Sequence, residues 1–208
     1  MWKKKCDFKI SQRYYIPTFK MVNEDVFNNP KWKERIKSAF DFLDRKKEGK
    51  ISVDLIMNIL AGRDVALKMN ASEDQMKRLM DVISTILSEM EFQPGTAIYF
   101  DNYIKGVAIL GKNELERQSK NETTLARLAS DALFDVIDEN HDGSISLEEW
   151  TAYGKVVGYD DDACKATFNV CDLNGDGKLS PDEFALKRMQ YWYSLDEDAE
   201  NLFGNTYK

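Results

Sequence analysis

The chain has 208 residues, 43% of them hydrophobic, with 36 acidic and 29 basic side chains and a formal charge of −7, so it can build a real core and is no disordered acidic tail. Its scattered bases lack the clustering that nucleic acid demands, its single histidine (His141) excludes HExxH zinc chemistry, and three cysteines without CxxC spacing (Cys6, Cys164, Cys171) read as reduced thiols. No apolar run reaches the ~18 residues of a membrane span and the opening MWKKKCDFK lacks a signal stretch, so a cytoplasmic protein with neither nucleic-acid nor membrane partners is expected.

In chain order, residues 1–19 read as a basic, aromatic tail broken by Pro17. A first helix follows Asn29, with Pro30 in its first turn and Trp32, Ile36, Ala39, Phe40 and Leu43 on one face. A second is expected over residues 53–69. A third runs from Ser72 with Met76, Leu79, Met80, Ile83, Leu87 and Met90 as its stripe, and a fourth carries Phe100, Tyr103, Ile104, Val107 and Ala108. Residues 111–122 (GKNELERQSKNE) read as a polar connector. Beyond it, the stripe Leu125, Leu128, Ala132, Leu133 and Val136, then Trp150, Tyr153 and Val157, predicts two more helices around a loop. Cys164, Thr167, Phe168 and Cys171, then Phe184, Met189, Trp192 and Tyr193, repeat the design. Eight helices in four helix–loop–helix pairs make the fold all-α, with strands only inside the loops. The division expected is a tail (1–19), a first pair of units (20–111) and a second pair (112–208).

The charge is unevenly shared: residues 1–111 carry +4 and residues 112–208 carry −11. The loop at 138–149, DENHDGSISLEE, explains much of this, because it fits the twelve-residue calcium loop of an EF-hand. Calcium takes six to eight oxygens, here offered by Asp138, Asn140, Asp142, the carbonyl of Ser144, Ser146 through water, and Glu149 as a bidentate carboxylate. Gly143 makes the sharp turn at position six, and Ile145 is placed to bridge to a partner loop. The loop at 172–183, DLNGDGKLSPDE, repeats the set with Asp172, Asn174, Asp176, the carbonyl of Lys178, Ser180 and Glu183, with Gly177 as the turn and Leu179 as the bridge. His141 falls at position four, which does not ligate, and should face solvent.

The first half keeps the turn without the ligands. In DRKKEGKISVDL (44–55), Asp44, Glu48, Gly49 and Ile51 hold their places, but Lys46 puts an ammonium at position three and Leu55 removes the carboxylate at position twelve. The partner loop near 90–101 (MEFQPGTAIYFD) has no register with acids at positions one, three and five. Both read as structural, with Ile51 bridging between them.

These features together resemble the calcium-regulated photoproteins of cnidarians and, more distantly, the sarcoplasmic calcium-binding proteins. The likeness runs from about Asn28 to the C-terminus and is carried by NNPKW before FDFLD, by NETTLARLASDALFDVID, by SLEEWTAYGKVVG, and by YWYSLD with LFGN near the end. It implies a compact shell of four EF-hands around oxygenated coelenterazine, whose decarboxylation and light emission calcium triggers. The family's pocket tryptophan and tyrosine after the third loop match Trp150 and Tyr153, and its last-helix tryptophan matches Trp192; aromatics at such spacing also simply pack cores. Elsewhere the pocket departs. The family's histidines align with Ile36 and Arg188, its peroxide-holding tyrosine with Phe203, two tryptophans with Val107 and Ala129, and Tyr207 and Lys208 replace its terminal proline.

Arginine stays protonated and phenylalanine has no donor, so neither performs the histidine–tyrosine proton transfer. The reading is therefore a calcium-binding buffer or sensor with two Ca²⁺ in its second half and no catalytic residues, its remaining partner candidate a small apolar ligand in the core. The alternative is a coelenterazine-dependent, calcium-triggered luminescent oxygenase.

Overall fold

Asn29 opens the first helix by accepting from the Lys31 amide at 2.9 Å, and Pro30 takes the first helical position, where its missing N–H costs nothing. The computed structural model describes residues 24–194; the tail at 1–19 with Cys6, and Phe203, Tyr207 and Lys208, lie outside the described residues. A 3-10 turn at Glu24–Asn28 leads into α1 (Pro30–Leu43), then β1 (Lys50–Ile51), α2 (Val53–Ala61), α3 (Arg63–Lys68), α4 (Glu73–Glu89), β2 (Ile98–Tyr99) and α5 (Phe100–Ser119). The second half runs α6 (Leu125–Ile137), β3 (Ile145–Ser146), α7 (Leu147–Val157), α8 (Asp161–Cys171), β4 (Lys178–Leu179) and α9 (Pro181–Tyr193). The fold is all-α, as read from the periodicity. Its only described strands are two antiparallel ribbons, Ile51 opposite Ile98 and Ile145 opposite Leu179, so the loops are joined in pairs through the anticipated residues.

Three local expectations are corrected. The helix over 53–69 is two helices, because Gly62 takes an extended backbone and any Cβ there would lie 2.2 Å from the Asn58 carbonyl oxygen. The polar connector is mostly helical, since α5 continues to Ser119. What holds it is Glu114, fully buried, which accepts from the Leu125 amide at 3.0 Å and the Ala126 amide at 2.9 Å, so a carboxylate on α5 caps the positive end of α6. Arg117 secures that carboxylate at 2.7 Å while pairing with Glu89. Finally, Met80 (43% exposed) and Leu128 (37% exposed) turn away from the faces that bury Met76, Leu79, Leu125 and Ala132.

One apolar core runs through both halves. Across the join, Arg78 pairs with the Asp135 carboxylate and Gln75 donates to the Asp135 carbonyl, fixing α4 on α6. A second join links α1 to the end of α9. Trp32 Nε1 donates to the Trp192 carbonyl at 2.9 Å, Tyr191 Oη donates to the Arg35 carbonyl at 3.1 Å, and the buried Arg35 guanidinium donates to the carbonyls of Gln190, Tyr191 and Ser194 at 3.3, 3.0 and 2.7 Å. Those carbonyls belong to a helix C-terminus, where a cation meets the negative end of the dipole.

Candidate functional site

The third loop is built around two carboxylates that face its backbone. Asp138, only 5% exposed, accepts from the amides of Asp142 (3.2 Å) and Gly143 (3.0 Å), and Asn140 Oδ1 accepts from the Asp142 amide at 2.8 Å. Gly143 has φ of +83°, in the region that penalises a Cβ, which accounts for glycine at this position. Glu149 reaches back across the loop, one oxygen accepting from the amides of Glu139 and Asn140 at 3.1 and 3.4 Å and the other from Ser146. Ser146 caps α7 in return, so the twelfth loop residue closes a reciprocal capping box. His141 is exposed, as anticipated.

The fourth loop repeats this geometry. Asp172 accepts from the amides of Gly175, Asp176 and Gly177 at 2.8, 3.2 and 2.9 Å, and Glu183 accepts from those of Leu173 and Asn174 at 3.1 and 3.3 Å while capping α9 through Ser180. Gly177 has φ of +78°. One cross-loop contact escaped the sequence: the Lys178 ammonium lies 3.4 Å from Asp142 of the other loop. The Ser144 hydroxyl and amide chiefly, with Lys178 adding, hold the Asp142 carboxyl below the usual range. The structure thus brings each set of candidate ligands onto one loop. Among the described residues no three Asp, Glu, His or Cys side chains converge as a ready cluster, and the loop carboxylates accept from loop amides. The donors are all oxygen, of the hard kind calcium takes, with half of each set supplied by Asn, Ser and backbone.

In the first half, Asp44 accepts from the amides of Glu48 (2.9 Å) and Gly49 (2.7 Å), reproducing the turn. Lys46 and Leu55 leave it without the remaining acids, and Glu48 sits 3.9 Å from Lys50.

Behind the loops lies a cavity of about 160 Å³, walled mainly by aliphatic and aromatic side chains from both halves. Trp150, Tyr153 and Trp192 all line it, as do Val107, Ala129 and Arg188; Ile36 is buried in the core and is not on the wall. Trp150 and Tyr153 stand on α7 and Trp192 and Arg188 on α9, the helices leaving the two calcium-type loops. Trp150 presents only its ring, because its N–H donates to the Cys164 carbonyl and Thr167 hydroxyl, both at 3.0 Å. Burial pushes the Tyr153 hydroxyl up to about 12, against the opposing pull of Arg188. Burial also raises Tyr193 and draws Arg188 below its usual range.

Comparison with known proteins agrees with this architecture. The profile described as an EF-hand domain pair matches residues 130–189. Obelin of Obelia longissima is 38% identical over 181 residues, covering 86% of this chain and 92% of that protein, and mitrocomin of Mitrocoma cellularia is 40% identical over 180 residues, covering 86% and 90%. The crystal structure of apo-aequorin in complex with (S)-HM-daCTZ superposes with a TM-score of 0.77 at 36% identity, over 88% of this chain and 94% of that one. The calcium-loaded apo-aequorin of Aequorea victoria gives 0.69 at 38% identity, over 81% and 93%. With paired EF-hand loops, a largely apolar cavity and this identity along most of its length, the chain belongs to the calcium-regulated photoprotein family.

Proposed function

We propose that this protein binds two calcium ions at its third and fourth loops, acts as a cytoplasmic calcium buffer or sensor, and emits no light. The ligands are Asp138, Asn140, Asp142, the Ser144 carbonyl, Ser146 and Glu149 in one loop, and Asp172, Asn174, Asp176, the Lys178 carbonyl, Ser180 and Glu183 in the other. The first pair of units serves as scaffold. A bound ion supplies a double positive charge that offsets three carboxylates in each loop. The protein's own part is to hold the donors: the positive-φ glycines set the turn, and the capping boxes tie Glu149 and Glu183 to the helices that wall the cavity.

Arg188 carries the second half of the proposal. It faces the cavity where the family places a proton-transferring histidine, and a guanidinium offers donors without an accessible deprotonated form. A luminescent oxygenase is the second reading. Trp150, Tyr153 and Trp192 favour it, since all three keep their places on the wall for a coelenterazine-type ligand. The two readings part in one experiment. The apoprotein is incubated with coelenterazine in air, then titrated with calcium while heat and light are recorded. Two calcium sites in a dark sample are expected; light on calcium addition would establish the oxygenase, and three full-affinity sites would show the first loop to be active.

A further inference from the structure

Among the described residues, Arg188 is the single charged side chain on the cavity wall. Its Nε donates to the Ser130 hydroxyl at 3.2 Å, and its guanidinium carbon lies 5.4 Å from the centre of the Phe184 ring. Ser130 in turn donates to the Ala126 carbonyl at 2.8 Å, so it is a neutral partner already shared. The neighbouring acids are engaged elsewhere, Asp182 and Asp131 with Arg127 and Glu114 with Arg117. The groups that act electrostatically on Arg188 are Tyr153, Tyr159, Cys171 and Tyr193, all uncharged at neutral pH, and among the described residues no carboxylate pairs with it. Arg188 is half-buried and lines the cavity.

A guanidinium has five donors, and here only Nε has a described acceptor. A ring face offsets part of the charge, but a half-buried cation with no anion beside it still carries a desolvation cost. The cavity supplies what the cation needs. At about 160 Å³ it is large enough for a benzene-sized body, since an apolar void of roughly 150 Å³ takes one. Tyr153 and Tyr193, kept protonated by burial, add neutral donors along the same wall.

We infer that the cavity binds an apolar organic monocarboxylate, its head seated on the Arg188 guanidinium and its body against Trp150, Tyr153 and Trp192. This goes beyond the calcium reading and stands whether or not the loops take ions. Arg188 is on the fifth position after Glu183 in α9, yet its partner is an anion inside the protein and not a metal ligand.

The test compares 3-phenylpropionate with the neutral 3-phenylpropan-1-ol on the full chain, by quenching of tryptophan fluorescence and by titration calorimetry. The carboxylate should bind at least about tenfold tighter than the alcohol, as expected for a charge-assisted contact. Arg188→Met should bind both equally, with its folding checked by near-ultraviolet circular dichroism, and Arg188→Lys should keep part of the preference. Equal binding of the two probes by the natural chain, a preference that survives in Arg188→Met, or no binding of either probe would each overturn the inference. An Arg188→Met chain that fails to fold leaves the wild-type comparison and Arg188→Lys to decide.

Discussion

Replacing Arg35 by methionine removes the clasp between α1 and the end of α9. The perturbation can be sized from the structure. Arg35 is 5% exposed, and its two shortest hydrogen bonds, 3.0 Å to Tyr191 and 2.7 Å to Ser194, are charge-assisted and shielded from solvent; the 3.3 Å contact to Gln190 counts for less, because that carbonyl also accepts from the Ser194 amide. Charge-assisted bonds are each worth about 1.5–3 kcal/mol, while losing the guanidinium relieves a desolvation penalty of comparable size to one of them. The balance is a loss of about 2 kcal/mol. With a urea slope of about 2 kcal/mol/M, the unfolding midpoint should fall by about 1 M, measured at fixed calcium for both chains. Arg35→Lys should recover only part, since the three bonds come from Nη1 at the far end of the guanidinium and the shorter lysine side chain does not carry its ammonium to that point. A loss below about 1 kcal/mol, or full rescue by lysine, would refute the assignment of Arg35 as a helix-end clasp.

Glu149→Gln and Glu183→Gln should each abolish most calcium affinity at their own loop while leaving helix content unchanged, because glutamine completes a capping box as glutamate does; Glu48→Gln should alter neither, and calorimetry with circular dichroism checks all three. In the natural chain, calcium at a hundred times its dissociation constant should add about 2.7 kcal/mol of stability per site, and no shift of the urea midpoint would contradict two sites. Alkaline pH should destabilise the fold: burial lifts Tyr153 to about 12 from 10, so stability present below pH 10 is lost as pH rises through 12, by about 1 kcal/mol at pH 11 from this group alone. Tyr103, Tyr191 and Tyr193 are raised in the same direction, and a urea midpoint that does not fall between pH 8 and 11 would contradict this. Cys171, whose thiol burial pushes up to about 12, and Cys164 should resist iodoacetamide at pH 8 until the chain unfolds; mass spectrometry of native and denatured samples reads this directly.

The loops were legible because their chemistry is written at fixed spacing. A twelve-residue window with glycine at six and an apolar residue at eight admits one geometry, and even the degenerate first-half loops declared their pairing through Ile51, found opposite Ile98. The start of α4 was equally readable at Ser72, where the structure adds a capping box with Gln75. What stayed hidden depends on partners far along the chain. Arg35 on the exposed-looking sequence KERIK is buried only because carbonyls more than 150 residues away need it. Glu114 reads as a surface residue until α6 brings its N-terminal amides to it. Gly62 did carry a signal, a glycine before Arg–Asp, but the apolar period continued past it and masked the break. For the cavity, sequence named Arg188 as a departure; only the structure shows that it faces an apolar wall beside a hydroxyl.

Helix α5 crosses the point at which the basic and acidic halves divide, and it does so with no joint. At Gly111 a Cβ would stand 2.3 Å from the ring of Phe27, so the rod is clamped by the first half at its middle, while Glu114, one turn on, holds the first turn of α6. A half-protein begun at residue 112 would start inside a helix and lack the turns that present Glu114 to its partner. A protease would find no linker there to cut. The two halves, so unlike in charge, are thus bound into one folded unit by a continuous helix and a shared core, and the first pair of loops is held by the same scaffold as the second.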